Sequence, residues 1–152
     1  MTIYAYTDGA SRGNPGESGV GVLLKDEQGR LLEQASGYLG TTTNNVAEYS
    51  ALLTCLKIVE QHPRLNGTVG QACTNLIVYS DSELLVHQMN GKYRVKNPTL
   101  RTYFQRVHEH LQRAPFTFSI KHVERSKNKE ADALANHGIE MRTPVQIDLP
   151  AR

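Results

Sequence analysis

The hydrophobic rhythm of this chain has a period of two up to residue 39, switches to a period of 3.6 over 45–61 and alternates between strand-like and helical stretches thereafter, and few folds accommodate that order. TIYAYTD (2–8), GVGVLLKD (19–26) and RLLEQASGYL (30–39) read as three strands, the last two joined by a tight turn over 26–29. From Asn45 to residue 61 the spacing predicts a long helix, with Val46, Tyr49, Leu53 and Leu56 on one stripe and Glu48, Leu52, Cys55 and Val59 on the adjoining row; Pro63 ends it. The polar stretch 64–75 is a loop. NLIVYSD (75–81) is a short, nearly continuous apolar run, the pattern of a central strand covered on both faces. A short helix over 82–91, a longer one over 98–113 started by Asn97 and Pro98, a strand over 116–123 and a last helix over 127–141 complete the order βββαβααβα. That order calls for an α/β fold: a mixed sheet whose first three strands form the antiparallel part, with helices packed on it.

At 152 residues the chain has the length of one compact domain, assigned to 1–141, with a tail over 142–152. In the tail Val145, Ile147 and Leu149 alternate, so it either adds an edge strand or frays. No apolar run reaches bilayer length, and MTIYAYTDG lacks the basic start and long apolar segment of a secretory signal, so the cytoplasm is the expected compartment. Cys55 and Cys73 are too few for a disulfide framework; they are two reduced thiols or a pair bridging helix and loop. The net charge is +2, with positive residues gathered in KYRVK (92–96) and ERSKNK (124–129), as solvated faces and polyanion sites both show. No exposed apolar stripe is visible, so a monomer is expected.

Chemistry in α/β sheets gathers at strand ends. Asp8 ends the first predicted strand, before the glycine-bearing turn 9–16, and Asp81 ends the fourth; if those strands are parallel neighbours, the two carboxylates sit side by side. Glu48 lies on the second apolar row of the first helix, where an acid facing a sheet is costly unless something positive receives it. Asp132 comes early in the last helix and reaches toward the same point. Each acid has a plainer role open to it: Glu48 closing a capping box with Asn45, Asp81 capping the next helix, Asp132 favouring a helix N-terminus. Converging without a counter-charge, however, they would repel one another, and a divalent cation relieves that. Oxygen ligands without His or Cys favour Mg²⁺ or Mn²⁺ over zinc, and two such ions clamp a phosphodiester, one activating water and one neutralising the leaving 3′ oxygen. No GxxxxGK[ST] loop is present, so hydrolysis is expected rather than transfer from a nucleotide.

YTDGASRGNPG, TTTNNVAEYSAL, VYSDSELL and NKEADALAN, in that order, resemble the four blocks of the ribonuclease H type 1 family over residues 1–141. The resemblance implies the ribonuclease H-like fold with a five-stranded mixed sheet. It also implies metal-dependent endonucleolytic hydrolysis of the RNA strand of RNA–DNA hybrids, leaving 5′-phosphate and 3′-hydroxyl ends. The family's acidic tetrad falls on Asp8, Glu48, Asp81 and Asp132, holding two Mg²⁺ with substrate bound, for which Mn²⁺ substitutes. Arg12, Gly13, Asn14, Asn44 and Asn45 fall along the minor groove, where RNA 2′-hydroxyls are exposed; Thr43 falls where a DNA phosphate is gripped, and Ser82 is a further substrate contact.

The departures are specific. Many members carry a histidine in a longer loop before the last aspartate; here the connection 123–128 is short, His122 belongs to a strand, and Arg125 is the loop residue expected beside the scissile phosphate, able to stabilise charge but a poor proton shuttle. The basic protrusion of some members is absent, which predicts weaker and more salt-sensitive substrate binding. Position 83 is Glu where a neutral polar residue is common. A non-catalytic hybrid-binding module, and a nuclease of this fold acting on double-stranded RNA or a DNA junction, are the competing readings; four acids facing phosphates argue against the first.

Overall fold

The computed structural model describes residues 1–145. Its elements are β1 (Thr2–Gly13), β2 (Gly16–Lys25), β3 (Leu31–Thr42), α1 (Asn44–Gln61), β4 (Asn75–Ser80), α2 (Glu83–Met89), α3 (Pro98–Arg113), β5 (Thr117–His122) and α4 (Lys129–Met141), with one 3₁₀ turn at Arg125–Lys127. This is the predicted order. The sheet runs β3-β2-β1-β4-β5, antiparallel across β1, β2 and β3 and parallel across β1, β4 and β5.

One face of the sheet is sealed. Ile3, Ala5, Val22, Leu24, Leu76, Val78 and Ile120 point at Leu52, Leu53 and Leu56 of α1, with Leu85, Tyr103 and Val107 closing the layer from α2 and α3. α1 is buried along most of its length, as its two apolar rows require. Cys55 and Cys73 are both buried and both free thiols, so the bridged alternative is not what the structure shows. The turn before β3 is tied by Asp26, whose carboxylate accepts from the amides of Gln28 and Arg30, both at 2.9 Å, and from Arg30 Nε at 2.8 Å.

Four expectations are corrected. First, β1 does not stop at Asp8: it continues through the glycine-bearing stretch to Gly13, paired rung by rung with β2, and reverses only at Asn14 and Pro15. Second, α1 starts at Asn44, and its cap is Thr43, whose hydroxyl accepts from the Val46 amide at 3.3 Å, so no capping box joins Asn45 to Glu48. Third, Ser82 rather than Asp81 caps α2, accepting from the Leu85 amide at 3.2 Å. Fourth, β4 is central but covered on one face only: Leu76 and Val78 are fully buried, whereas Ile77 and Tyr79 stay half-buried on the other side. α4 packs chiefly on β2, β3 and β1. Beyond α4, the Tyr38 amide donates to the Thr143 carbonyl at 2.9 Å and Pro144 bridges to Tyr38 in parallel; Ile147 and Leu149 lie outside the described residues.

Candidate active site

The parallel ladder between β1 and β4 ends at the rung Thr7–Ser80. One residue further on, the strands part: β1 continues against β2, while β4 gives way to α2. Asp8 and Asp81 stand at that fork, as their placement on neighbouring parallel strands predicts. Glu48 arrives from the second turn of α1, and one carboxylate oxygen each from Asp8, Glu48 and Asp81 lies within 4.8 Å of the others. Gly9 makes the approach possible. A Cβ there would collide with the Ala47 carbonyl and the Glu48 amide, so only glycine lets α1 come down on β1; its amide then donates to Glu48 Oε1 at 2.8 Å. The glycine expected to loosen a turn is instead a point of close packing.

Asp132 enters from the first turn of α4. That helix also rests on glycines: a Cβ at Gly21 would strike the Ala131 carbonyl, and one at Gly138 the backbone of Gly37. Asp132 is exposed but near enough to hydrogen-bond Asp8.

The electrostatics follow from burial without compensation. Burial first, then the charges of Glu48 and Asp81, then a hydrogen bond and charge from Asp132, push Asp8 above the carboxylate range to about 9. Burial likewise lifts Glu48 to about 8; the Gly9 amide and the Arg125 charge pull it down, while Asp81 and Asp132 add to the rise. Arg125, exposed on the 3₁₀ turn, is thus close enough for its charge to register at the cluster. Desolvated, mutually repelling, oxygen-only donors within 4.8 Å fit a hard divalent cation better than they fit any neutral ligand.

The groove residues divide. Asn14, Thr43, Asn44 and Asn45 line one concavity of about 390 Å³ together with Asn97 and Thr99, and Asn14 Oδ1 accepts from the Asn44 amide at 3.1 Å, joining the β1–β2 turn to the start of α1. Gly13, at φ 103°, makes the turn that puts Asn14 there. Arg12 goes elsewhere: its Nη2 donates to Glu140 Oε1 at 3.1 Å and Asn136 Oδ1 at 3.3 Å on α4. Ser82 sits beside Asp81 with its hydroxyl engaged as the helix cap. His122 is the exposed last residue of β5.

Two residues escaped the sequence reading. Asn128 is buried, and its Nδ2 donates to the Thr7 carbonyl at 2.9 Å and to Asp81 Oδ2 at 3.4 Å, while its Oδ1 has no partner among the described residues. Asn136 donates to the carbonyl of Asp132 at 3.0 Å and to its Oδ1 at 3.3 Å, linking that acid to Arg12. Both lie in the quoted NKEADALAN block; their only signal was an amide placed one helical turn from an acid or directly ahead of a helix.

Comparison with known proteins bears on the same residues. The family model described as "Reverse transcriptase-like" matches residues 6–138. A ribonuclease HI of Halobacterium salinarum is 35% identical over 91% of this chain and 64% of its own length, so the chain spans less than two thirds of that relative. A ribonuclease HI of Neisseria meningitidis is 32% identical over 91% of this chain and 95% of its own. Among solved structures, LC11-RNase H1 in complex with an RNA/DNA hybrid superposes with a TM-score of 0.83 at 40% identity, covering 91% of this chain and 97% of that one.

Proposed function

Because the chain belongs to the type 1 ribonuclease H family, we propose that it hydrolyses the RNA strand of RNA–DNA hybrids, using divalent cations held by its acidic cluster. The observation that carries this reading is the meeting of three carboxylates within 4.8 Å, those of Asp8 and Glu48 buried and that of Asp81 half-buried, with Asp132 beside them. Asp8 is the central ligand, Glu48 and Asp81 flank it, and Asp132 completes the set. Two Mg²⁺ ions, or Mn²⁺ in their place, would supply an activated water and neutralise the departing 3′ oxygen, giving 5′-phosphate and 3′-hydroxyl ends.

The chain's own side chains do the positioning. Asn128 fixes the Asp81 carboxylate, the Gly9 amide fixes that of Glu48, and Arg125 brings a permanent positive charge to the side where phosphate negative charge builds up. Asn14, Asn44 and Asn45 offer amide donors and acceptors suited to the 2′-hydroxyls that distinguish RNA from DNA, and Thr43 sits beside them for a phosphate of the DNA strand. Arg12, expected along the same minor groove as those asparagines, is turned to Glu140 and would leave it to reach a 2′-hydroxyl.

Among the described residues no helix is long and apolar enough to cross a membrane. The exposed large hydrophobics Leu31, Val69, Tyr93 and Met141 lie on separate segments, which supports a monomer, and two free thiols suit the cytoplasm. The test is incubation of the purified chain with labelled hybrid, RNA duplex and DNA duplex, each with Mg²⁺, with Mn²⁺ and with chelator. Cleavage of the hybrid alone, lost on chelation, is expected; hybrid cleavage that persists in full chelator would remove the metal from the reading, and none in any condition would make the chain a binder.

A further inference from the structure

The uncovered side of β4 and β5 has a composition that solvent exposure does not explain. Along a strand pair with one face open to water, the open positions are expected to be polar. Here the parallel register sets Tyr4 beside Ile77, and Tyr6 beside Tyr79 beside Lys121, all on the side away from the sealed core. The Tyr6 and Tyr79 rings stack at 5.1 Å between centroids and 22° between planes, forming an aromatic ridge. Lys25 Nζ stands 5.6 Å from the centre of the Tyr6 ring. Among the described residues the hydroxyls of Tyr6 and Tyr79 have no hydrogen-bond partner, and Lys121, Lys127 and Lys129 have no acidic partner.

At the edge of this ridge is a trough of about 190 Å³, walled by Tyr6 and Lys25 on the sheet and by Lys127, Asn128 and Lys129 ahead of and on α4. Its single acid, Glu130, is drawn to Lys25 at 3.4 Å. The trough is continuous with the acidic cluster in two ways. Asp8 and Asp81 each follow a ridge tyrosine by two residues, and Asn128 both lines the trough and hydrogen-bonds Asp81. A polyanion leaving the metal ligands along this side therefore passes directly onto lysines and tyrosine hydroxyls.

We propose that this open face holds a single strand of nucleic acid that continues from the hybrid at the acidic cluster, with its phosphates on Lys121, Lys127 and Lys129 and its sugars and bases against Tyr6 and Tyr79. The occupant is a single strand because the trough takes a sugar–phosphate unit and not the width of a duplex, and because successive bases can stack on aromatic side chains only where their faces are free of a duplex. It is nucleic acid rather than an acidic peptide because the face is an extension of the phosphodiester site; this rests on the hybrid reading above. The surface would let the chain recognise a hybrid next to a single-stranded tail, such as a partly displaced RNA.

The test measures binding by fluorescence anisotropy in chelator, where no turnover interferes. The probes are a blunt hybrid, the same hybrid with an RNA tail of about ten nucleotides, and the tail alone. The tail is expected to tighten binding by about threefold to tenfold at low salt. In the triple variant Lys121→Gln, Lys127→Gln, Lys129→Gln that gain disappears, blunt-hybrid affinity is unchanged, and the salt slope for the tailed hybrid becomes shallower by about two, the value for three single-strand phosphate contacts. Tyr79→Ala reduces the gain without changing that slope. A tail that adds nothing, a triple variant that keeps the gain, or a glutamate-rich peptide that competes as well as the free tail would each overturn the proposal. If the blunt hybrid is bound and the tail adds nothing, only this inference fails; if the free tail is bound by the lysines and the blunt hybrid is not, the hybrid reading fails instead.

Discussion

Ile3 and Ala5 on β1 are completely buried, and Asp8, three residues further along the same strand, is 5% exposed. Equal burial has opposite consequences in the two places. For Ile3 and its neighbours, removal from water is the favourable term that holds α1 on the sheet. For Asp8 and Glu48 it is the first cause of a raised pKa, so the fold carries the cluster as a cost that the core offsets. The two regions share strands and the same helix, since α1 supplies Leu52 and Leu53 to one and Glu48 to the other. Stability and chemistry are separable here only by side chain, not by element.

That contrast can be broken from either side. The largest effect is expected from Asp8→Asn, which keeps shape and removes charge: hybrid cleavage in Mg²⁺ should fall at least about a thousandfold, by initial rates, with the fold intact. A folded variant with near-normal turnover would remove Asp8 from the chemistry. Next, Leu53→Ala should lower unfolding free energy by about 2–5 kcal/mol in urea titration while turnover per folded molecule persists, the reverse pattern. Third, Asp8→Asn should raise the stability of the metal-free protein at pH 8 by about 1–2 kcal/mol, because folding no longer has to protonate a buried carboxyl that is ionised in the unfolded chain.

The pH dependence sharpens the comparison further. Asp8 and Glu48 titrate higher when folded than when unfolded, so between the ordinary carboxylate range and pH 8–9 the folded state binds the extra protons. Stability of the metal-free protein should therefore fall as pH rises through that window, and thermal melts from pH 5 to 9 should show a declining Tm that flattens in Asp8→Asn or with Mg²⁺ present. A Tm that climbs over this range would contradict the buried cluster. The smallest effect is expected from Arg125→Ala: a partial loss of cleavage, about tenfold, with substrate affinity less affected; an unchanged rate would make the short 3₁₀ turn a bystander.

Much of this was legible in the order of residues. Periodicity gave the element order, because each amphipathic stretch has one face to bury, and residue type flagged the acids, because Glu48 on an apolar row contradicts its surroundings. What periodicity does not encode is distance between elements. Gly9 reads as a turn residue and Gly21 as an ordinary strand position until α1 and α4 are laid on them, and then their missing side chains prove to be clearances. Likewise Arg12 reads as a free groove residue until Glu140 comes beside it, and Asn128 carries no role in the sequence until its amide turns inward to Thr7 and Asp81. The apolar run at β4 misled in the other direction: its content suggested two covered faces, and one of them is open.

The short link from the Gly9 amide to Glu48 makes that amide hydrogen a built-in spectroscopic reporter. On the proposed reading, cations entering the cluster change the charge density of the carboxylate it touches, so its resonance should shift in a metal titration followed by nuclear magnetic resonance. Occupancy of the proposed metal site would thereby be readable without substrate and without an added label, from one proton on the backbone.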